Sequence, residues 1–105
     1  MLPVVSQDVS EQAHAAILLR VAAKAVVEAR HAWQRARPAD ADAASLRSAF
    51  RACVLAVRSV RSAAAAWAHD ARESKRIAAQ TGRLVAAAGD LKARLARAQQ
   101  ESATG

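Results

Sequence analysis

Residues 46–78, LRSAFRACVLAVRSVRSAAAAWAHDARESKRIA, contain the strongest structural signal in the chain. Within them, apolar or small residues alternate at spacings of four and three for more than four heptads, which is typical of a helix in a coiled coil or bundle. The positions are Leu46, Phe50, Cys53, Val57, Val60, Ala64, Trp67, Ala71, Ser74 and Ala78. We call the part from Leu46 to Trp67 the seam, and we expect a second helix to cover it.

An earlier amphipathic pattern predicts a first helix over residues 8–37. Asp8, with Glu11 three residues later, resembles a capping box at its start, and Pro38 ends the pattern. The following Pro-Ala-Asp-Ala-Asp connection at residues 38–42 offers Asp40 or Asp42 as the cap of the next helix. So short a connection predicts that the first two helices pack antiparallel.

The second helix is predicted over residues 42–80 and a third over 83–100, with a break or kink at Gln80-Thr-Gly-Arg83. Glycine favours a break there because it lowers helix stability by about 1 kcal/mol relative to alanine. Beyond it the apolar pattern restarts at an offset of three residues, as Leu84, Ala88, Leu91, Leu95 and Ala98. The expected fold is therefore all-α. It is a long antiparallel helical hairpin with a third or kinked C-terminal helix, in one coiled-coil-like bundle domain over residues 1–105.

The apolar composition predicts a thin core. The chain has 105 residues and 31 alanines, but only two Trp, one Phe and one Met. Alanine favours helices yet buries little area, and buried apolar area is the main favourable contribution to folding. Self-association or binding to a helical partner would compensate, so we expect a homo-oligomer or a helical protein partner.

Metal and cofactor sites are not expected. Two Glu-x-x-His pairs occur, Glu11 with His14 and Glu28 with His31, and such pairs bind metals in some helical bundles. Here both lie on the same helix, about 25 Å apart, so one metal centre cannot use both. We interpret these four side chains as exposed residues.

Catalysis is not expected either. His69, Asp70 and Glu73 could form an acid/base cluster, but these residues fall away from the apolar pattern, whereas the nearby Ser74 belongs to it. Cys53 occupies the seam, where a buried thiol has a raised pKa and is unreactive. The chain also lacks a glycine-rich phosphate-binding loop. We therefore expect a protein that is not an enzyme.

The basic residues are concentrated in the second part of the chain. Its net charge is +7, and residues 41–105 carry eleven Lys or Arg against five Asp or Glu. Six of them directly follow positions of the heptad pattern and would form one stripe, about 42 Å long, on the second helix. They are Arg47, Arg51, Arg58, Arg61, Arg72 and Lys75. Such a stripe could bind nucleic-acid phosphates without sequence specificity.

The function that these patterns favour is a non-enzymatic helical assembly or adaptor protein, acting through self-association or a partner helix. The alternative is a basic nucleic-acid-binding accessory protein that uses the arginine stripe. No apolar run approaches the about 20 residues of a membrane span. The lone Cys53 and a start without the regions of a signal peptide predict a cytoplasmic protein.

Overall fold

Three helices form the described part of the chain. The computed structural model describes residues 2–104, and side chains over residues 9–103. Helix α1 spans Leu2–Ala36, α2 spans Ala43–Ala66 and α3 spans Ala71–Thr104, with no strand among the described residues. The helix α2 packs closely against both α1 and α3, and the molecule is a rod of 71 × 21 × 19 Å. The predicted all-α bundle is confirmed.

Alanine side chains form the contact between α1 and α2. Buried alanines recur every seven residues on both helices, at Ala15, Ala22, Ala29 and Ala36 on α1 and at Ala49, Ala56 and Ala63 on α2. The three on α2 are 0% exposed. Side chains of this size let helix axes approach to about 8 Å, the lower end of the usual range. Contacts between closely spaced helix backbones therefore compensate for the small area that alanine side chains bury.

Larger side chains fill the contact between α2 and α3. The seam residues Leu46, Cys53 and Val60 are at most 3% exposed, and they belong to the same buried cluster as Leu84 and Leu91 of α3. The predicted pattern from Leu84 to Ala98 is confirmed as the inward face of α3, since Ala88, Leu95 and Ala98 are partly buried. Ile77 extends this face by one heptad towards the start of α3.

The start of α1 differs from the prediction. The helix begins at Leu2 rather than at residue 8, so Asp8 lies inside the helix and the Asp8–Glu11 capping box is wrong. Pro3 does not oppose this start, because a proline in the first turn removes an N–H group that has no helical partner in any case. The cap of α2 is as predicted, since the Asp42 carboxylate accepts a hydrogen bond of 2.8 Å from the Ser45 N–H.

The largest correction concerns the predicted helix over residues 42–80, which does not exist as one helix. The chain reverses direction at residues 67–70, where α2 ends and α3 begins. The Asp70 carboxylate accepts a hydrogen bond of 3.0 Å from the Glu73 N–H and caps α3. The Ser74 hydroxyl donates a hydrogen bond of 3.0 Å to the Trp67 carbonyl, so hydrogen bonds at both ends of the turn stabilise it.

The predicted break at residues 80–83 is also wrong, because α3 continues through it. The Thr81 hydroxyl donates a hydrogen bond of 2.8 Å to the Ile77 carbonyl within the helix. Gly82 is exposed, and a glycine in a helix interior costs about 1 kcal/mol, which the packing of α3 on α2 outweighs. The three-residue offset in the apolar pattern comes from the turn at residues 67–70.

Candidate interaction surfaces

The seam is covered within one chain. Its residues are either buried or, in the case of Phe50, Ala64 and Trp67, partly buried, and α1 and α3 pack over them. The sequence predicts this seam as the interaction surface for another helix, from a second copy or from a partner. Instead, α1 and α3 of the same chain together cover the seam. The surfaces that remain for a partner therefore lie on other faces of the bundle.

The first remaining surface is the outer side of α2. Arg47, Arg51, Arg58 and Arg61 are all exposed there, and α2 contains no acidic residue. None of the four forms an ion pair with another side chain of residues 9–103. We call them the arginine face; it is about 21 Å long. Leu55, which is 58% exposed, lies among them.

The predicted stripe was longer than this face. Arg72 and Lys75 do not continue it, because they belong to α3, on the far side of the turn at residues 67–70. Both are exposed, but α3 runs antiparallel to α2, so they start a different helix surface. The length available to a bound phosphate backbone on one helix is therefore about half of the predicted 42 Å.

The second remaining surface is a groove between α1 and α3. It arises because both helices pack closely on α2 but not on each other. The groove has a volume of about 200 Å³, and its floor is Cys53 of α2. Its walls are Val26, Ala29, Arg30 and Trp33 from α1 and Gln80, Arg83, Leu84 and Ala87 from α3. We call it the α1–α3 groove.

Cations border this apolar groove, with one on each wall. Arg30 and Arg83 are exposed, and neither forms an ion pair within the described side chains. Among the described residues that line the groove, none carries a carboxylate. Trp33, an aromatic residue of the α1 wall, is partly buried, and the Arg37 guanidinium lies 5.6 Å from the centroid of its ring. An apolar surface with two unpaired cations at its edges suits an apolar ligand or segment that carries negative charge.

Cys53 lies at the bottom of this groove as a buried thiol. Its exposed fraction is 1%, as its position in the seam predicted. Desolvation of the thiolate raises the pKa of Cys53 above its ordinary value. A buried thiol with a raised pKa is a poor nucleophile at neutral pH.

The residues of the suspected acid/base cluster hold the turn between α2 and α3. The His69 ring stacks on Trp67, with ring centroids 6.0 Å apart. Asp70 caps α3, and the Glu73 carboxylate pairs with Arg76 at 2.9 Å. All three side chains therefore make contacts within the turn or the start of α3.

Within residues 9–103, no group of three or more His, Cys, Asp or Glu is placed to bind a metal ion.

Arg94 of α3 donates hydrogen bonds of 2.7 and 2.8 Å to the carbonyls of Ala36 and Pro38, which join α3 to the end of α1. Sequence patterns predicted neither this contact nor the α1–α3 groove, because both join residues that are far apart in the chain.

None of the helices in the described part of the chain combines the length and hydropathy needed to cross a membrane.

Comparisons with known proteins add no relative. No protein-family model matches the chain, and no curated protein and no solved structure is significantly similar to it.

Proposed function

We propose that this chain is a non-enzymatic helical adaptor or assembly protein that acts by binding a partner helix. The observation that carries the proposal is the α1–α3 groove, an apolar surface that the chain leaves open between two of its helices. A cytoplasmic location belongs to the same proposal, because Cys53 has no second cysteine with which to form a disulfide.

The arrangement of the helices supports this function. In a four-helix bundle each helix packs on two neighbours and lies diagonally opposite the remaining one. Here α2 packs on α1 and α3, and those two do not pack closely on each other. These contacts match those of three neighbouring helices in such a bundle. A helix from another molecule in the α1–α3 groove would pack on both α1 and α3 and take the place of the fourth.

Site-specific crosslinking tests the proposal. A photo-reactive amino acid replaces Gln80, which lies in the groove wall, or Ser62, an exposed residue of α2 outside the groove. In the cells that produce the protein, we expect a discrete protein adduct from position 80 and none from position 62. Equal labelling from both positions, or no adduct from position 80, would contradict the adaptor function.

The arginine face favours a second candidate function, which is sequence-independent nucleic-acid binding. Four exposed arginines on a helix without an acidic residue can contact phosphates, and each contact formed releases condensed counterions. A salt titration with random duplex DNA tests this candidate. We expect binding to weaken steeply with salt, and replacing Arg51 and Arg58 with glutamate to flatten that dependence. Absence of binding at low salt would eliminate this candidate.

A further inference from the structure

We infer that the α1–α3 groove binds an acidic amphipathic helix from a different protein, one whose apolar stripe is bordered by glutamate or aspartate. This inference rests on the proposed function, because it specifies the partner of the same groove. Four observations carry it: the shape of the groove, the charges at its edges, the excess of basic residues on the chain itself, and the position of Trp33.

The shape of the groove suits a helix. Its walls come from two long helices that run parallel to each other, since both are antiparallel to α2. The apolar lining residues Val26 and Ala29 on α1 face Leu84 and Ala87 on α3. Spacings of three and four residues are those at which neighbouring side chains share one helix face. The lining residues of each wall, 26–33 on α1 and 80–87 on α3, extend over about two helical turns. A helix laid between the walls would contact both of them over that length.

The charges at the edges of the groove select an acidic helix. Arg30 on one wall and Arg83 on the other are exposed and without an ion-pair partner among the described side chains. Because no described residue that lines the groove carries a carboxylate, a bound segment meets positive charge on both sides. Charge complementarity steers association and rejects partners of the same sign. The favoured partner therefore carries carboxylates on both flanks of its apolar stripe.

A second copy of this chain does not have that character. Its net charge is +7, and each of its three helices contains more Lys and Arg than Asp and Glu. Helix α2 carries four arginines and no acidic residue at all. Docking any of these helices into the groove would bring further cations towards Arg30 and Arg83. The occupant is therefore a different, acidic chain.

Trp33 provides the anchor on the α1 wall. It is partly buried in the groove lining, and Arg37 lies 5.6 Å from its ring centroid, so an aromatic ring and cations stand side by side. Tryptophan and arginine are the residues most often found at energetic centres of protein interfaces. Completing the burial of this indole would add apolar contact area at the centre of the new interface.

The test uses two synthetic amphipathic helices of about 20 residues, long enough to span roughly 30 Å. Both have leucine at the stripe positions; the first has glutamate on the flanks and the second has lysine there. Each carries a fluorescent label, and binding to the intact protein is measured by anisotropy. We expect the glutamate peptide to bind at least about tenfold more tightly than the lysine peptide.

Matched variants separate the groove from overall charge. Replacing Arg30 and Arg83 with glutamate should weaken binding of the glutamate peptide at least about tenfold and reverse the preference between the peptides. Replacing Arg51 and Arg58 with glutamate changes the net charge equally, on the outer side of α2 and away from the Cys53 floor. That variant should keep its affinity within about twofold, because distant exposed charges are screened. All four arginines are exposed, so both variants should keep the helical circular dichroism of the parent.

Three outcomes would overturn the inference. The first is an equal loss of affinity in both double variants, which would indicate attraction by net charge alone. The second is a dimer of the unmodified chain that is lost when Arg30 and Arg83 are replaced, which would make a second copy the occupant. The third is the absence of a preference for the glutamate peptide. If crosslinks from position 80 still form in that case, only the acidic partner is wrong; if they are absent, the adaptor function fails as well.

Discussion

The indole Nε1 of Trp67 donates a hydrogen bond of 2.9 Å to the backbone carbonyl of Ala15. The two residues are 52 positions apart in the chain, and the bond joins the end of α2 to the first half of α1. This contact is long-range and partly buried, and it lies at the opposite end of the bundle from the contact of Arg94 with Ala36. Together the two contacts fix how far α1 and α3 are shifted along α2.

The first prediction follows from the Trp67 contact. Replacing Trp67 with phenylalanine keeps an aromatic ring but removes the N–H donor, and a hydrogen bond of this kind contributes about 1 kcal/mol to the free energy of unfolding. Urea unfolding should show a loss of at least that size. The control is Trp33→Phe, because no described residue accepts a hydrogen bond from the Trp33 indole, and its loss should be smaller. Equal losses would indicate that the Trp67 bond does not form.

The second prediction concerns the turn between α2 and α3. Replacing Asp70 with alanine removes the cap of α3, and such changes typically cost about 0.5–2 kcal/mol in the free energy of unfolding. The same change at Asp90, an exposed residue in the interior of α3, removes an equal charge but no cap. Thermal unfolding should therefore show a lower melting temperature for the Asp70 variant alone. A comparable decrease for both variants would show that charge, not capping, is responsible.

The third prediction tests whether α3 is continuous. Gly82 lies in the helix interior, and a methyl group added there would meet no atom within 4 Å. Replacing Gly82 with alanine should therefore raise the free energy of unfolding by up to about 1 kcal/mol. If the chain instead broke at this glycine, as its sequence pattern suggested, alanine would not stabilise it. Denaturant unfolding of the variant and the parent distinguishes the two cases.

The sequence pattern was informative where large side chains mark the buried face. Leu46, Val60, Leu84 and Leu91 have the inward positions that their spacing predicted, because burying them is the strongest favourable contribution available to the chain. The pattern misled at residues 67–78. Ala71 and Ala78 continue the heptad spacing by coincidence and are exposed, since alanine is tolerated equally on both faces of a helix.

A local signal did mark the true turn. Asp70 and Glu73 have the same Asp-x-x-Glu spacing that was assigned a capping role at Asp8 and Glu11, where the helix has already begun. Only Asp70 and Glu73 stand at a helix start, and Asp70 accepts the capping hydrogen bond. The α1–α3 groove had no such signal. The groove depends on how α1 and α3 pack on α2. Because the two segments are far apart in the chain, the spacing of residues in either helix does not indicate it.

The fourth prediction concerns pH. The pKa of Cys53 in the folded protein lies above its ordinary value of 9.0 because burial penalises the thiolate. The unfolded chain therefore loses this proton first as the pH rises, which favours unfolding. The stability due to the neutral thiol is complete below the ordinary pKa and declines between that value and the raised one. Chemical unfolding from pH 8 to 10 should show this decline relative to Cys53→Ala. Parallel pH profiles would contradict the burial of the thiol.

The measurement that tests the account most directly is the mass of the unmodified protein in solution, determined by light scattering over a wide range of concentrations. A chain that covers its own seam and leaves a basic groove for an acidic partner should be a monomer of 11.0 kDa at every concentration. Its tryptophan emission should also be unchanged by dilution, since the partly buried Trp67 bonds to α1 of the same chain. A stable dimer, with emission that shifts to the red as it dissociates, would contradict the account because the seam or the groove would then be closed by a second copy.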